Sequence, residues 1–251
     1  MNIQWNAADY ESHFSFVHQY GESVTELITA PEGSFVVDLG CGSGALTEKL
    51  RQQGYRVLGI DASPDMIRIA QRLHPDLSFI QADALSFSLP EPADVIFSNA
   101  VFHWIDADKQ SALLQNTAHQ LRTGGELVCE FGGFGCAETV HAALETNFRK
   151  AGYAYPRVFY FPTIGEYAPL LEKQGLQVRF ATLFDRPTEQ EGEDGLAGWI
   201  RMFVKKPLES IPAAEGRRIV QQTVEDLRPV LYQKGKWIVD YVRIRLRAVK
   251  I

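Results

Sequence analysis

The feature that most limits what this chain can fold into is Phe35-Val36-Val37-Asp38-Leu39-Gly40-Cys41-Gly42-Ser43-Gly44, running into Ala45-Leu46-Thr47-Glu48-Lys49-Leu50. A short β-branched run reads as a strand buried on both faces. The glycines end it, and Leu46 and Leu50, with good helix formers between them, begin a helix. Strand, tight turn and helix N-terminus commit the chain to an α/β layered fold in which a ligand can lie against bare backbone. Gly40, Gly42 and Ala45 satisfy the spacing G-x-G-x-x-G/A, which by itself does not choose among nucleotide ligands.

Asp38 narrows the choice. It closes the strand two residues before the first glycine, where its carboxylate is expected to face the occupant of the turn. A pyrophosphate would meet a like charge in a partly desolvated site. A phosphate-free nucleoside with an amino group and a sulfonium centre would be attracted, and S-adenosylmethionine has both.

Two further acids stand where such a ligand needs them. A second strand over 55–61 ends in Asp61, and a carboxylate at that strand tip can accept from both ribose hydroxyls. Ser63 caps the following helix, with Pro64 at its first position and Met66 one turn in, against the adenine or in the core. A third strand over 77–85 carries Asp83, placed to accept from an adenine amino group, with the backbone of Ala84 serving the ring nitrogen. Asp38, Asp61 and Asp83 thus mark three successive strand ends at one edge of an open sheet, where ligands of such folds bind.

Further strands are read over 93–100, 126–131 and 176–184, and a last one over 239–248 that alternates strictly from Val242 and has one basic face. The glycine-rich stretch 132–135 reads as a mobile loop at the same edge. Between the last two strands lies an insertion over 185–236, with helices at 195–203 and 213–231. The expected organisation is an N-terminal helical segment over 1–30, a core over 31–188, a helical cap over 189–236 and the last core strand over 237–251.

Composition enters mainly to exclude. The net charge of −6 argues against a nucleic-acid surface. Residues 201–251 hold twelve Lys/Arg against five Asp/Glu, leaving −13 on residues 1–200; an anionic small substrate would suit that basic end. No apolar run approaches the roughly 20 residues that cross a bilayer, and the first residues form no secretion signal. Three cysteines make no disulfide framework, and no Cys/His spacing marks a metal site. The expectation is a cytoplasmic monomer or homodimer acting on a small molecule, without nucleic-acid, membrane or metal partners.

Asp38-Leu39-Gly40-Cys41-Gly42-Ser43-Gly44 resembles the first motif of the class I S-adenosylmethionine-dependent methyltransferases, and with every strand placed the whole chain resembles that family. The resemblance implies a Rossmann-like seven-stranded sheet with an antiparallel last strand, and an N-terminal lid over the cofactor. It implies cofactor contacts at Asp38, Gly40, Cys41, Gly42, Gly44, Asp61, Ala62, Met66, Asp83, Ala84, Ser98 and Asn99, with Trp5 and Tyr10 from the lid. Trp5-Asn6-Ala7 with Tyr10, Ser98-Asn99-Ala100-Val101-Phe102-His103-Trp104, and the insertion holding Trp199 and Arg201 look like the trans-aconitate methyltransferase group, which esterifies a small carboxylate. Enzymes that methylate nucleobase amino groups carry Asn or Asp, two prolines and an aromatic where this chain has Asn99-Ala100-Val101-Phe102, so a nucleobase acceptor is not expected.

Candidate acceptor contacts are His103, Trp104, Trp199, Arg201 and Arg149. His103 is also the candidate general base for a phenol or enol, whereas a carboxylate needs none. The reaction expected is O-methylation of a carboxylate or hydroxyl. C- or N-methylation of a small metabolite, a non-catalytic S-adenosylmethionine-binding protein and, last, a nicotinamide oxidoreductase are the alternatives.

Overall fold

The computed structural model describes Gly21 and residues 23–251. Trp5, Tyr10 and most of the expected N-terminal lid lie outside these residues.

Seven strands make the central sheet: β1 (Phe35–Leu39), β2 (Arg56–Asp61), β3 (Ser78–Gln81), β4 (Ala93–Asn99), β5 (Leu121–Gly132), β6 (Leu176–Asp185) and β10 (Val242–Lys250). Their order is β3-β2-β1-β4-β5-β10-β6. The first five are parallel, and β10 enters antiparallel between β5 and β6. The strand order reverses at β1 and β4, so the crevice outside their carboxyl ends is the natural ligand site.

The central strands are buried on both faces, as their unbroken apolar runs require. Val36 and Val37 of β1 and Ile96 of β4 are fully buried, each contributing on the order of 2 kcal/mol. Helices α1 (Ala45–Gln52), α2 (Pro64–Leu73), α3 (Gln110–Gln120), α4 (Glu138–Lys150) and α5 (Ile164–Lys173) flank the sheet. Ser63 caps α2 through its side chain, as the sequence predicts.

The insertion contains α6 (Gly195–Phe203), α7 (Lys205–Glu209) and α8 (Ala213–Leu231). It also contains a three-stranded antiparallel sheet absent from the sequence reading: β7 (Thr188–Gln190), β8 (Tyr232–Gln233) and β9 (Lys236–Val239), ordered β7-β9-β8. Residues 237–239 therefore belong to the cap and not to the last core strand. The cause is local: Lys234 and Gly235 both have positive φ, 50° and 82°, which makes a tight two-residue hairpin between β8 and β9. The cap shares one hydrophobic cluster with α4, including Leu144, Phe148, Ile200 and Trp237, and Asn147 of α4 donates to Thr223 and Asp226 of α8.

The stretch 132–135 is tied down rather than left loose: Gly133 N–H donates to the Val242 carbonyl, Phe134 N–H to Pro162 and Cys136 N–H to Gly133.

Candidate functional site

The cleft opens where the sequence places it, beyond the carboxyl ends of β1, β2 and β4, and extends toward the cap. At the β1 end its wall is bare backbone. Gly40 has φ +81°, and a Cβ there would lie 2.2 Å from Val101 Cγ2, so only glycine fits. Gly42 has φ +53°, yet a Cβ on it would meet nothing within 4 Å; the space it would fill is the cleft that Gly42 lines. Asp61 stands beside it, accepting from the N–H groups of Gly42 (3.0 Å) and Ser63 (2.8 Å). Burial holds its carboxyl above the usual range, against the lowering effect of those donors.

Asp38 is not in the cleft wall. It lies buried beneath the turn, where one carboxylate oxygen accepts from the Thr47 hydroxyl at 2.6 Å. Burial pushes its pKa up to about 7; the Thr47 bond lowers it and the neighbouring charge of Asp61 raises it. Two carboxyls, both disfavoured as anions, thus face one turn. A diphosphate would aggravate that repulsion, whereas a cationic nucleoside offering hydroxyl donors relieves it. The donor set therefore fits the sulfonium nucleoside expected from the sequence.

Of the other cofactor candidates, Met66 and Asn99 line the cleft. Asp83, two residues past β3, lines an adjoining smaller cavity with Ala84 and Val101, and its carboxylate accepts from Leu85 N–H. The structure does not bring the remaining four into the wall. Ser98 is buried with its hydroxyl donating to the Leu39 carbonyl (2.8 Å), which fastens β4 to β1. Cys41 packs with Ile67, Ala70 and Phe79. A Cβ on Gly44 would strike Phe79 and His74, so that glycine serves close packing below the turn. Ala62 turns its carbonyl to Gln81. Ala100, between Asn99 and Val101, has φ +60° and lines the cleft, a strained residue at the end of β4.

The far half of the cleft is aromatic. His103 and Trp104 follow β4 in a short 3-10 turn. Trp199 and Phe203 come from α6, and Phe159 and Phe161 from the connection between α4 and α5. Phe159 and Phe161 stack at 5.2 Å and 6°, and Trp104 lies 4.7 Å from Phe159. Trp199 donates through its indole N–H to the Tyr241 hydroxyl.

His103 is buried, and burial with Arg243 nearby holds its pKa well below the usual value, so the ring is neutral. Its Nδ1 accepts from the Gly132 backbone N–H at 3.2 Å, and a backbone N–H can only donate. The ring proton is therefore on Nε2. That corrects the general-base expectation: the lone pair is already engaged, and the other nitrogen is a donor.

Arg149 and Arg201, the expected carboxylate clamps, are both exposed and absent from the cleft wall. Each lies on the solvent side of its helix, where a long cationic stem is cheapest to place. The cation that does line the cleft is Arg243, which is only 7% exposed. Its guanidinium lies 4.8 Å from the Tyr241 ring centre, its Nε has no hydrogen-bond partner, and among the described residues its side chain makes no ion pair. Its neighbours are satisfied. Glu130 takes Arg186 and also Arg245, at 2.6 Å, and Glu126 takes Arg247 at 3.2 Å.

The sequence reading missed Arg243, Phe159, Phe161, Phe203 and Tyr241. A signal existed for the first: Arg243, Arg245 and Arg247 alternate on one strand while Glu126 and Glu130 alternate with Gly132 on another. Only the register shows which arginine is left over.

A family model described as a methyltransferase domain matches residues 36–125. An uncharacterized methyltransferase of Schizosaccharomyces pombe is 31% identical across 98% of both chains. The trans-aconitate 2-methyltransferase of Methylobacterium nodulans is 36% identical over 133 residues, 50% of this chain and 49% of that protein. Among solved structures, the magnesium protoporphyrin IX methyltransferase of Synechocystis PCC 6803 with bound S-adenosylhomocysteine superposes with a TM-score of 0.60 at 17% identity, over 100% of this chain and 90% of that one.

Proposed function

The chain belongs to the class I S-adenosylmethionine-dependent methyltransferases, and on that premise we propose that it methylates a carboxylate oxygen of a small organic acid. The cofactor supplies a methyl group on a cationic sulfur; when an acceptor oxygen takes that methyl, the C–S electron pair stays on sulfur, which becomes a neutral thioether. Gly40 and Gly42 give the cofactor bare backbone, Asp61 would accept from the ribose hydroxyls, and Asp83 with the Ala84 backbone would flank the base. Asp38, beneath the turn, acts through its field rather than by contact.

The observation that carries the acceptor class is Arg243, a buried cation lining the cleft without an anionic partner. Burying an unpaired guanidinium is costly, and an incoming carboxylate removes the cost through a charge-assisted, bidentate pair. His103 supports the same acceptor, since its Nε2–H can donate to a second carboxylate lone pair. A carboxylate, with a reference pKa of about 4, is already ionised at neutral pH and asks for no base. A phenol would ask for one, and His103 has no free lone pair to give. The partial relative named for trans-aconitate, a tricarboxylic acid, supports a carboxylate as the methylated group for half of the chain, and not the number of carboxylates on the acceptor.

The test is transfer of a labelled methyl group from S-adenosylmethionine to a panel of small carboxylic acids, their amides and matched phenols. An alkali-labile methyl ester is expected. Label found only in phenol or amine products would overturn the carboxylate reading.

A further inference from the structure

We infer that the acceptor carries a single carboxylate on a flat, largely apolar body, and that polyacids are excluded. This rests on the carboxylate reading above and adds a selectivity that the reading does not require.

The first support is the count of cations. Among the described residues Arg243 is the one Lys or Arg in the cleft wall. Arg186 and Arg245, the second of them two residues along the same strand, are already paired with the buried Glu130. Residues 1–22 contain no Lys or Arg. His103 is neutral. A second or third carboxylate on the acceptor would have to leave water without a counter-charge, and an unpaired buried anion is disfavoured far more strongly than one satisfied pair is favoured.

The second support is the aromatic lining that shares the cleft with the cation. Trp104, Phe159, Phe161 and Trp199 form it, with the two phenylalanine rings parallel and stacked. Aromatic faces carry negative potential, which repels carboxylates and accepts flat apolar groups by stacking. One unpaired cation in a cleft also lined by aromatic rings selects a monoanion with a planar unsaturated or aryl body.

The experiment is calorimetric titration of the full chain, alone and loaded with S-adenosylhomocysteine, with 2-naphthoate, trans-cinnamate, tricarballylate and the neutral 2-naphthamide. The aryl and alkenyl monoacids are expected to bind at least 30-fold tighter than either tricarballylate or the amide. This ranking needs no variant. Arg243→Gln should erase the preference of naphthoate over naphthamide, and Arg243→Lys should restore part of it, while S-adenosylhomocysteine affinity changes less than threefold. The same acids are then offered with labelled S-adenosylmethionine. Tricarballylate methylated while the flat monoacids are not would overturn this inference and leave carboxylate methylation standing. No acid of either kind bound or methylated would remove both. Loss of S-adenosylhomocysteine binding in Arg243→Gln to the same degree as acid binding would assign the cation to the cofactor's own carboxylate and end the inference.

Discussion

Arg243 on β10 lies directly opposite Gly132 on β5, so the arginine nearest the cleft faces a residue with no side chain. One step along the same ladder Arg245 faces Glu130 and pairs with it. The arrangement leaves one positive charge of a basic strand face uncompensated, at the point where the strand reaches the site.

Arg243→Gln is therefore expected to separate stability from activity. Removing an unpaired buried charge should stabilise the ligand-free protein by about 1–3 kcal/mol, read as a higher midpoint in urea. The same change should lower kcat/KM for the acid by roughly 30-fold or more, mostly through KM. A less stable variant with unchanged KM would contradict the assignment.

Asp38 makes cofactor binding pH-dependent. Its pKa is about 7 in the fold against an ordinary 3.8, so the folded state holds a proton that the unfolded state has lost between those values. Its contribution to the stability of the ligand-free protein is complete below about pH 4. It falls by up to about 1.4 kcal/mol per pH unit as pH rises toward 7. A cationic ligand favours the ionised form, so affinity for S-adenosylmethionine should rise from pH 5.5 to 8 with its midpoint near 7. Asp38→Asn should flatten that profile in calorimetry and weaken binding at pH 8.

Thr47→Val tests the same carboxyl from the other side. The Thr47 hydroxyl donates to Asp38 and holds its pKa down. Without it the midpoint of the binding profile should move to higher pH, with about 1–2 kcal/mol of stability lost for an unmet buried acceptor.

The glycines of the turn should fail in different ways. Gly40→Ala brings a Cβ against Val101 at a φ of +81°, and should cost stability by about 2–4 kcal/mol. Gly42→Ala meets no atom and should cost only about 1 kcal/mol from its positive φ, while its methyl group enters the cleft. Thermal unfolding with and without S-adenosylhomocysteine separates the two, because Gly42→Ala should lose mainly the ligand-induced shift.

His103→Gln should raise KM for the acid by roughly 5- to 20-fold without moving the pH profile of kcat, the behaviour of a lost hydrogen-bond donor. A fall in kcat of about a thousandfold, with loss of an acidic limb, would restore the role of base.

The β1–turn–α1 unit, the acids at the ends of β1 and β2 and the two long cap helices were legible in the sequence because each is a local pattern: periodicity, glycine spacing, an acid at a strand tip. What was not legible depends on register and packing. Asp38 reads as a ligand contact until Thr47 is seen to cover it, and Ser98 reads as a cleft residue until its hydroxyl is found on the Leu39 carbonyl. Arg201 lies two positions from Trp199 on one helix, so the aromatic face toward the cleft necessarily turns the cation away. Arg243 stands out only once β10 is set against β5.

The most direct measurement is a crystal structure of the full chain with S-adenosylhomocysteine and a flat monocarboxylic acid such as 2-naphthoate. The account predicts the acid's carboxylate within about 3 Å of the Arg243 guanidinium, accepting also from His103 Nε2–H, with its ring between the aromatic walls. The cofactor's own carboxylate on Arg243, with the acid elsewhere, would contradict it.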